Sequence, residues 1–232
     1  NPHFACTAVA DGSKVPAQIR IRTARQLYAL SEYYDAYAKL LPAAADFKQE
    51  CDIDYAAYDW ARYGKKETVV KEQKPIGQAE KAPFQYSYDG EKHTITGVSF
   101  AGETGGAAGL FGFVTGTLEN IVVTTEKALA DAPTSKLGGN VQRRTVYIGV
   151  LAGKNSGGIY NCAVSGYKLS CYAYSGSTCY IGGLVGYNEG TVSACSAAIP
   201  SISGNTTNAR GYYAGALAGV NTGGGYIRQS YA

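Results

Sequence analysis

The sequence predicts a mainly β protein: a parallel β-helix, or β-solenoid, of short repeats with one amphipathic helix capping its N-terminal end. Three observations carry this. A four-residue core recurs four times in the C-terminal half, evenly spaced in its last three copies. Glycine reaches 30 of 232 residues and tyrosine 20, against a usual glycine share of about 7%. Only one stretch of the chain has strong helical periodicity. The length suits one large domain that buries roughly 70–75% of its unfolded surface, so neither disulfide nor metal is needed merely to fold. Charged residues make up only 17%, which argues against a coiled coil, a helical bundle or acidic disorder.

The helical stretch covers residues 23–41. Leu27, Leu30, Tyr34, Tyr37 and Leu41 recur at steps of three and four, which places them on one face. Thr23 followed by Gln26 reads as a capping box, and Pro42 ends the pattern. The period then changes. Over 47–55, Lys48, Glu50, Asp52 and Asp54 alternate with Phe47, Gln49, Cys51, Ile53 and Tyr55, as in a half-buried strand. Asp52 and Asp54 share the wet face but lack the further oxygens that calcium wants. Residues 68–100 read as short strands joined by turns at Pro75-Ile76-Gly77 and Asp89-Gly90. This region, 1–100, is read as a cap continuous with the repeats of 101–232.

The repeats are the most informative feature. Gly109-Leu110-Phe111-Gly112, Val150-Leu151-Ala152-Gly153, Gly183-Leu184-Val185-Gly186 and Ala216-Leu217-Ala218-Gly219 align, their last glycines 41, 33 and 33 residues apart. The longer first interval contains Ala130 to Gly139, an inserted loop. Counting from each leucine, glycine falls at +6 in all four copies (Gly116, Gly157, Gly190, Gly223). Asparagine falls at +4 in the last three (Asn155, Asn188, Asn221), and tyrosine at −4 in the same three (Tyr147, Tyr180, Tyr213). Apolar residues stand at +8 (Leu118, Ile159, Val192) and at +11 (Ile121, Cys162, Cys195). In copy four a run of glycines displaces the pattern, and Ile227 takes the +8 place. Each copy therefore predicts a strand through the leucine, a tight turn at Asn-x-Gly and a second strand, with room for a third. The odd step from +8 to +11 demands a bend or bulge. Stacked in register, the leucines form an inward-facing ladder of structural core residues with the closing glycines.

These repeats resemble the GLUG motif, named for its Gly-Leu-x-Gly core. The fuller form also matches at Gly182–Val192 and at Ile159-Tyr160-Asn161-Cys162. Thr23-Ala24-Arg25-Gln26-Leu27, Asp52-Ile53-Asp54, Pro75-Ile76-Gly77, Asp89-Gly90 and His93-Thr94-Ile95 are similar to what precedes such repeats in bacterial, Bacteroides-type, surface proteins. Val150 and Ala216 depart from the first core glycine. The resemblance implies an adhesin-like cell-surface or secreted protein, or the non-catalytic region of an IgA-specific metallopeptidase, with no catalytic motif to transfer. The His-Glu-x-x-His zinc helix of those peptidases does not occur.

Searches for other chemistry give little. There are two histidines, His3 and His93, so a cysteine nucleophile lacks a base. No phosphate-binding loop or zinc-spaced cysteine pair is present; no metal or cofactor is expected. Cys171 and Cys179 read as neighbours in one loop or hairpin, able to form a disulfide in an extracellular setting. Cys162 and Cys195 read as buried thiols in one column. From Gly138 on, six cations face one acid, Glu189, while the rest carries 15 cations and 17 acids. Cations that sparse do not make a nucleic-acid patch. A glycosidase pair cannot be assembled in the repeats around one carboxylate. No 20-residue apolar span is visible.

The expected function is therefore a non-enzymatic, extracellular adhesion or ligand-binding module, the alternative being a β-helix enzyme acting on polysaccharide or a repeat region of a larger surface peptidase. The expected ligand surface is aromatic: Tyr147, Tyr180 and Tyr213 stacked as a ladder, with Tyr187, and with Tyr160, Tyr167, Tyr172 and Tyr174 nearby. The partner expected is a surface glycan or protein. Beyond copy four no third strand is evident, so the last repeat is expected to be the least stable and open to edge-to-edge self-association. The chain is then a fragment of a longer array, folds its end back, or meets a second chain. Beginning at Asn1 and lacking methionine, it reads as a mature form or an expressed fragment.

Overall fold

A computed structural model describes residues 5–7, 18–39, 41–60, 72–100, 106–125, 140–141, 145–173, 176–206 and 209–232. The fold is mainly β, and its sheets are parallel except at one edge. His3, the inserted loop at 130–139 and Tyr174 lie outside the described residues.

The helix begins where the capping box places it. Thr23 Oγ1 accepts from the Gln26 amide at 3.2 Å, and Gln26 Oε1 accepts from the Thr23 amide at 3.1 Å. It spans Ala24–Tyr37, stopping short of Pro42. At its end the Tyr86 hydroxyl donates to the Ala38 carbonyl at 2.7 Å. Leu27, Leu30 and Tyr34 are buried, and the Tyr34 ring packs on Phe84 and Tyr86.

The expected strand over 47–55 is two strands, Asp46–Gln49 and Ile53–Asp54, in different sheets. The chain turns between them because Glu50 is held by Arg20 and Arg22, and because the buried Gln49 amide donates to the Cys51 carbonyl at 2.9 Å. Asp52 and Asp54 act on backbone. Asp52 accepts from the Thr94 amide, and Asp54 from the Ala56 and Ala57 amides. His93 stands 3.4 Å from Asp52.

An eight-stranded sheet runs from Ala5–Thr7, its antiparallel edge, to Tyr226–Arg228. Through it passes one column, Ile19, Phe47, Tyr88, Leu118, Ile159, Val192 and Ile227 in direct register, buried from Ile19 to Val192. Ile227 thus occupies the place expected of it. The connection before it is longer than in the preceding repeat and carries Gly223 and Gly224 at positive φ.

Each full repeat holds five strands, as in Thr145–Gly149, Ala152–Asn155, Gly158–Tyr160, Ala163–Ser165 and Lys168–Ala173. Each pairs with its counterpart in the next repeat. Three of the four leucines are fully buried, and all four lie at corners between the first two strands, not within a strand. Leu110, Leu151 and Leu184 have no exposed surface, and Leu217 is half-buried. Corner stacks on corner: the Leu151 and Ala152 amides both donate to the Leu184 carbonyl, and those of Leu184 and Val185 to the Leu217 carbonyl.

The bend demanded between +8 and +11 is a second corner. Asn120, Asn161 and Ala194 take φ of 55°, 52° and 55° there. Asn161 Nδ2 donates to Asn120 Oδ1 at 2.6 Å, and Asn120 Nδ2 to Asp89 Oδ1 at 2.9 Å. Asparagine tolerates the left-handed region better than most residues.

Inside the turn, Asn155 Nδ2 donates to Asn188 Oδ1 and Asn188 Nδ2 to Asn221 Oδ1, both at 2.7 Å. Asn155 and Asn188 are fully buried. In copy one Val114 holds this register position.

At the end of the chain, after the expected strand that carries Ile227, Tyr231 makes a single parallel bridge to Ser196. Tyr226–Arg228 pairs with Thr191–Ser193, and the Tyr231 amide donates to the Cys195 carbonyl at 3.0 Å. Side chains there remain open, with Ile227 36% and Tyr226 69% exposed. Cys171 and Cys179 form a disulfide, and Cys162 and Cys195 are buried free thiols.

Two measurements check this packing. Leu184→Ala should cost roughly 2–5 kcal/mol in denaturant unfolding, and Leu217→Ala clearly less, because only the first leaves an enclosed cavity. A non-reduced digest should yield the Cys171–Cys179 peptide with Cys162 and Cys195 free, and opening that eight-residue loop by reduction should lower stability by about 2 kcal/mol.

Candidate functional site

The Gly-Leu-x-Gly corner sets the geometry of the surface around it. A Cβ on Gly186 would stand 2.8 Å from the Tyr180 carbonyl and 2.6 Å from the Ile148 amide nitrogen. At Gly153 the Tyr147 carbonyl would be 2.9 Å away. Gly112 and Gly219 meet backbone as closely, at 2.4 Å and 2.6 Å. Only glycine lets the second strand of a repeat lie this near the first strands. Residues of the two strands then meet across the corner.

Tyr147, Tyr180 and Tyr213 are in direct register on the first strands. Their neighbours Val146, Ile148, Cys179 and Ile181 are buried, so the tyrosines occupy the other face of the pleat. The rings stack: Tyr147 on Tyr180 at 5.6 Å and 9°, Tyr180 on Tyr213 at 5.0 Å and 16°. Tyr147 and Tyr180 are half-buried, and Tyr213 is 47% exposed. The column starts at Tyr147 because Ala107 stands in its register in copy one, where the leucine corner is a residue shorter.

The second strands supply a parallel column of Phe113, Lys154, Tyr187 and Val220. Tyr187 meets Tyr180 at 4.8 Å and Tyr147 at 5.5 Å in edge-to-face contacts, and Phe113 lies against Tyr147 at 5.9 Å. The Lys154 ammonium lies 5.7 Å from the Tyr147 ring centre and 5.6 Å from that of Tyr187, within cation–π reach. It also bridges Glu80 at 2.8 Å and Glu189 at 3.3 Å.

Burial alone would depress the Lys154 pKa. The hydrogen bonds to both carboxylates outweigh it and hold the group above the ordinary lysine range. Burial raises the Tyr147 and Tyr180 phenols, and Lys154 only partly offsets this at Tyr147. The phenols therefore remain protonated donors at neutral pH. The arrangement is a rigid aromatic strip with a row of hydroxyls and one pinned cation. It suits recognition by hydrogen bonds and ring contacts.

All four tyrosines expected in the site come together. Tyr167 does not join them: it is buried, donates to the Val98 carbonyl at 3.3 Å and packs on Phe100. Tyr160 lies on the eight-stranded sheet, its ring over Gly158. The side chain of Tyr172 lies outside the described residues. Lys154 was missed, although its place at +3 from the leucine matches that of Tyr187 and could have flagged it. Glu80 carries no such signal. Among the described residues no cluster of three or more His, Cys, Asp or Glu is placed to hold a metal. No helix there is long and apolar enough to cross a membrane.

The GLUG motif family model matches residues 177–203, 27 residues of one repeat, from before the Tyr180 strand into the strand that begins at Ser201. The chain thus contains a GLUG motif. No curated protein matches it. Among solved structures it is similar to a "putative immunoglobulin A1 protease from Bacteroides ovatus", at 16% identity and a TM-score of 0.40, covering 93% of this chain and 75% of that one.

Gly186→Ala tests the corner. The added methyl meets backbone of two neighbouring strands, so a loss of about 1–3 kcal/mol is expected. The tyrosine fluorescence should also change as the stack is displaced.

Proposed function

We propose that this chain is a non-enzymatic ligand-binding module of a bacterial surface or secreted protein, its repeats wound as a β-solenoid. The binding surface is the strip of Tyr147, Tyr180, Tyr213 and Tyr187. The observation that carries the reading is the register-locked tyrosine stack with Lys154 pinned beside it. Half-exposed aromatic rings held rigidly lose little entropy on binding, and phenols offer both apolar area and a polar tip. The in-register parallel pairing of every strand in successive repeats supports the solenoid. The Cys171–Cys179 disulfide supports an oxidising, extracellular location, and so does the GLUG motif. Adhesion to a surface glycan or protein is the role that fits such a strip. The open side chains of the fourth repeat are the place where two copies would associate.

Purified domain should be applied to arrays of immobilised glycans and of extracellular proteins. Binding is expected, and Tyr180→Ala together with Tyr213→Ala should abolish it while circular dichroism stays unchanged. Binding that survives both substitutions places the site elsewhere. Release of reducing sugar or peptide from a bound partner would show an enzyme instead.

A further inference from the structure

We infer that the ligand of this strip is an uncharged, extended glycan lying along the tyrosine column, one sugar residue to each repeat. The inference rests on the reading of the strip as the binding surface and adds the chemistry of what binds.

Spacing is the first argument. The tyrosine ring centres recur at 5.6 and 5.0 Å, close to the length that one sugar residue occupies in an extended β-linked glycan. A peptide strand laid along the column advances about 3.3 Å per residue, so its same-face side chains fall about 6.6 Å apart and lose step with the phenols after one repeat. A ligand of matching rise keeps one of its residues beside each ring.

Ring geometry is the second. Interplanar angles of 9° and 16° mean that Tyr147 and Tyr180 cover each other's faces, as do Tyr180 and Tyr213. No flat base can slide between them, which excludes the stacking mode used for single-stranded nucleic acid. Ring edges and hydroxyls remain along the strip. Hydroxyl-rich edges suit a polyol chain.

Charge is the third. Lys154, with a side chain only 15% exposed, is matched by Glu80 and Glu189, and Arg210 stands close enough to Tyr180 to act on its phenol. Among the described residues, two cations and two carboxylates balance at the strip. The Glu80 side chain is 65% exposed, so an anionic chain would meet a carboxylate before it met Lys154. A neutral chain would find there an acceptor for its hydroxyls.

The experiment is calorimetric titration of the domain with neutral β-linked gluco-oligosaccharides from the disaccharide to the hexasaccharide, beside an oligogalacturonate series. Affinity should climb with length up to the tri- or tetrasaccharide and then level off, with the oligogalacturonates binding at least tenfold more weakly. Tyr213→Phe keeps the stack and removes one hydroxyl. It should weaken the tetrasaccharide several-fold to about tenfold, as expected for one hydrogen bond. Affinity independent of length, preference for the charged series, or no binding of neutral chains overturns the inference. If ligands found on the arrays still need Tyr180 and Tyr213, the reading of the strip survives that result. If their binding ignores both residues, the reading falls as well.

Discussion

The amide ladder of Asn155, Asn188 and Asn221, fully buried at its first two members, is the constraint on which the rest of the repeat region depends. A primary amide inside an apolar core is costly unless its donors and acceptor are used. Here each Nδ2 reaches the next Oδ1 at 2.7 Å, which happens only when successive repeats are in register. Apolar columns alone would tolerate a sliding strand. The amides do not, because a slip would leave buried hydrogen-bonding groups unpaired, at about 1–3 kcal/mol each. The leucine corners, the tyrosine stack and the Cys162 and Cys195 column all inherit their alignment from this register.

Glycine complements the ladder from the other side. The ladder says where neighbouring repeats sit, and the closing glycine of each corner says how sharply one repeat folds. With Gly153, Gly186 and Gly219 against backbone, adjacent sheets approach until Tyr187 and Lys154 of one touch the tyrosines of the other. The four-residue motif and the aromatic strip are one piece of geometry seen from inside and outside.

Much of this was legible in the sequence, and the failures have physical reasons. The columns at −4, 0, +4, +8 and +11 were readable because the same register positions recur every 33 residues. The helix start was readable because Thr23 and Gln26 form a local, reciprocal cap. Its end was not: Pro42 marks where a helix cannot continue, whereas Tyr86, 48 residues away, takes the Ala38 carbonyl. The five strands of a repeat escaped notice because a three-residue strand such as Gly158–Tyr160 is too short to display alternation. The leucine was expected inside a strand because apolar neighbours resemble one, yet Val150 and Leu151 are both buried at a bend. In the site, the tyrosine column could be read by spacing alone. The Lys154–Glu80 contact, spanning 74 positions, could not.

The amide ladder has a direction. Asn155 and Asn188 each donate to the asparagine of the next repeat along the chain, while Asn155 Oδ1, with Val114 in its register in copy one, accepts from the Gly157 amide. A further repeat inserted between two others would arrive with its donor and acceptor already pointing the right way. Gene duplication in units of one repeat therefore asks for no compensating mutation in the interior, while losses or gains of a few residues there break the chain of amides at once. Such a region can gain or lose whole repeats more easily than single residues. The irregular fourth copy fits that history, since its extra residues lie in the Gly223–Gly225 turn, past Asn221, where the ladder ends on the Gly225 carbonyl.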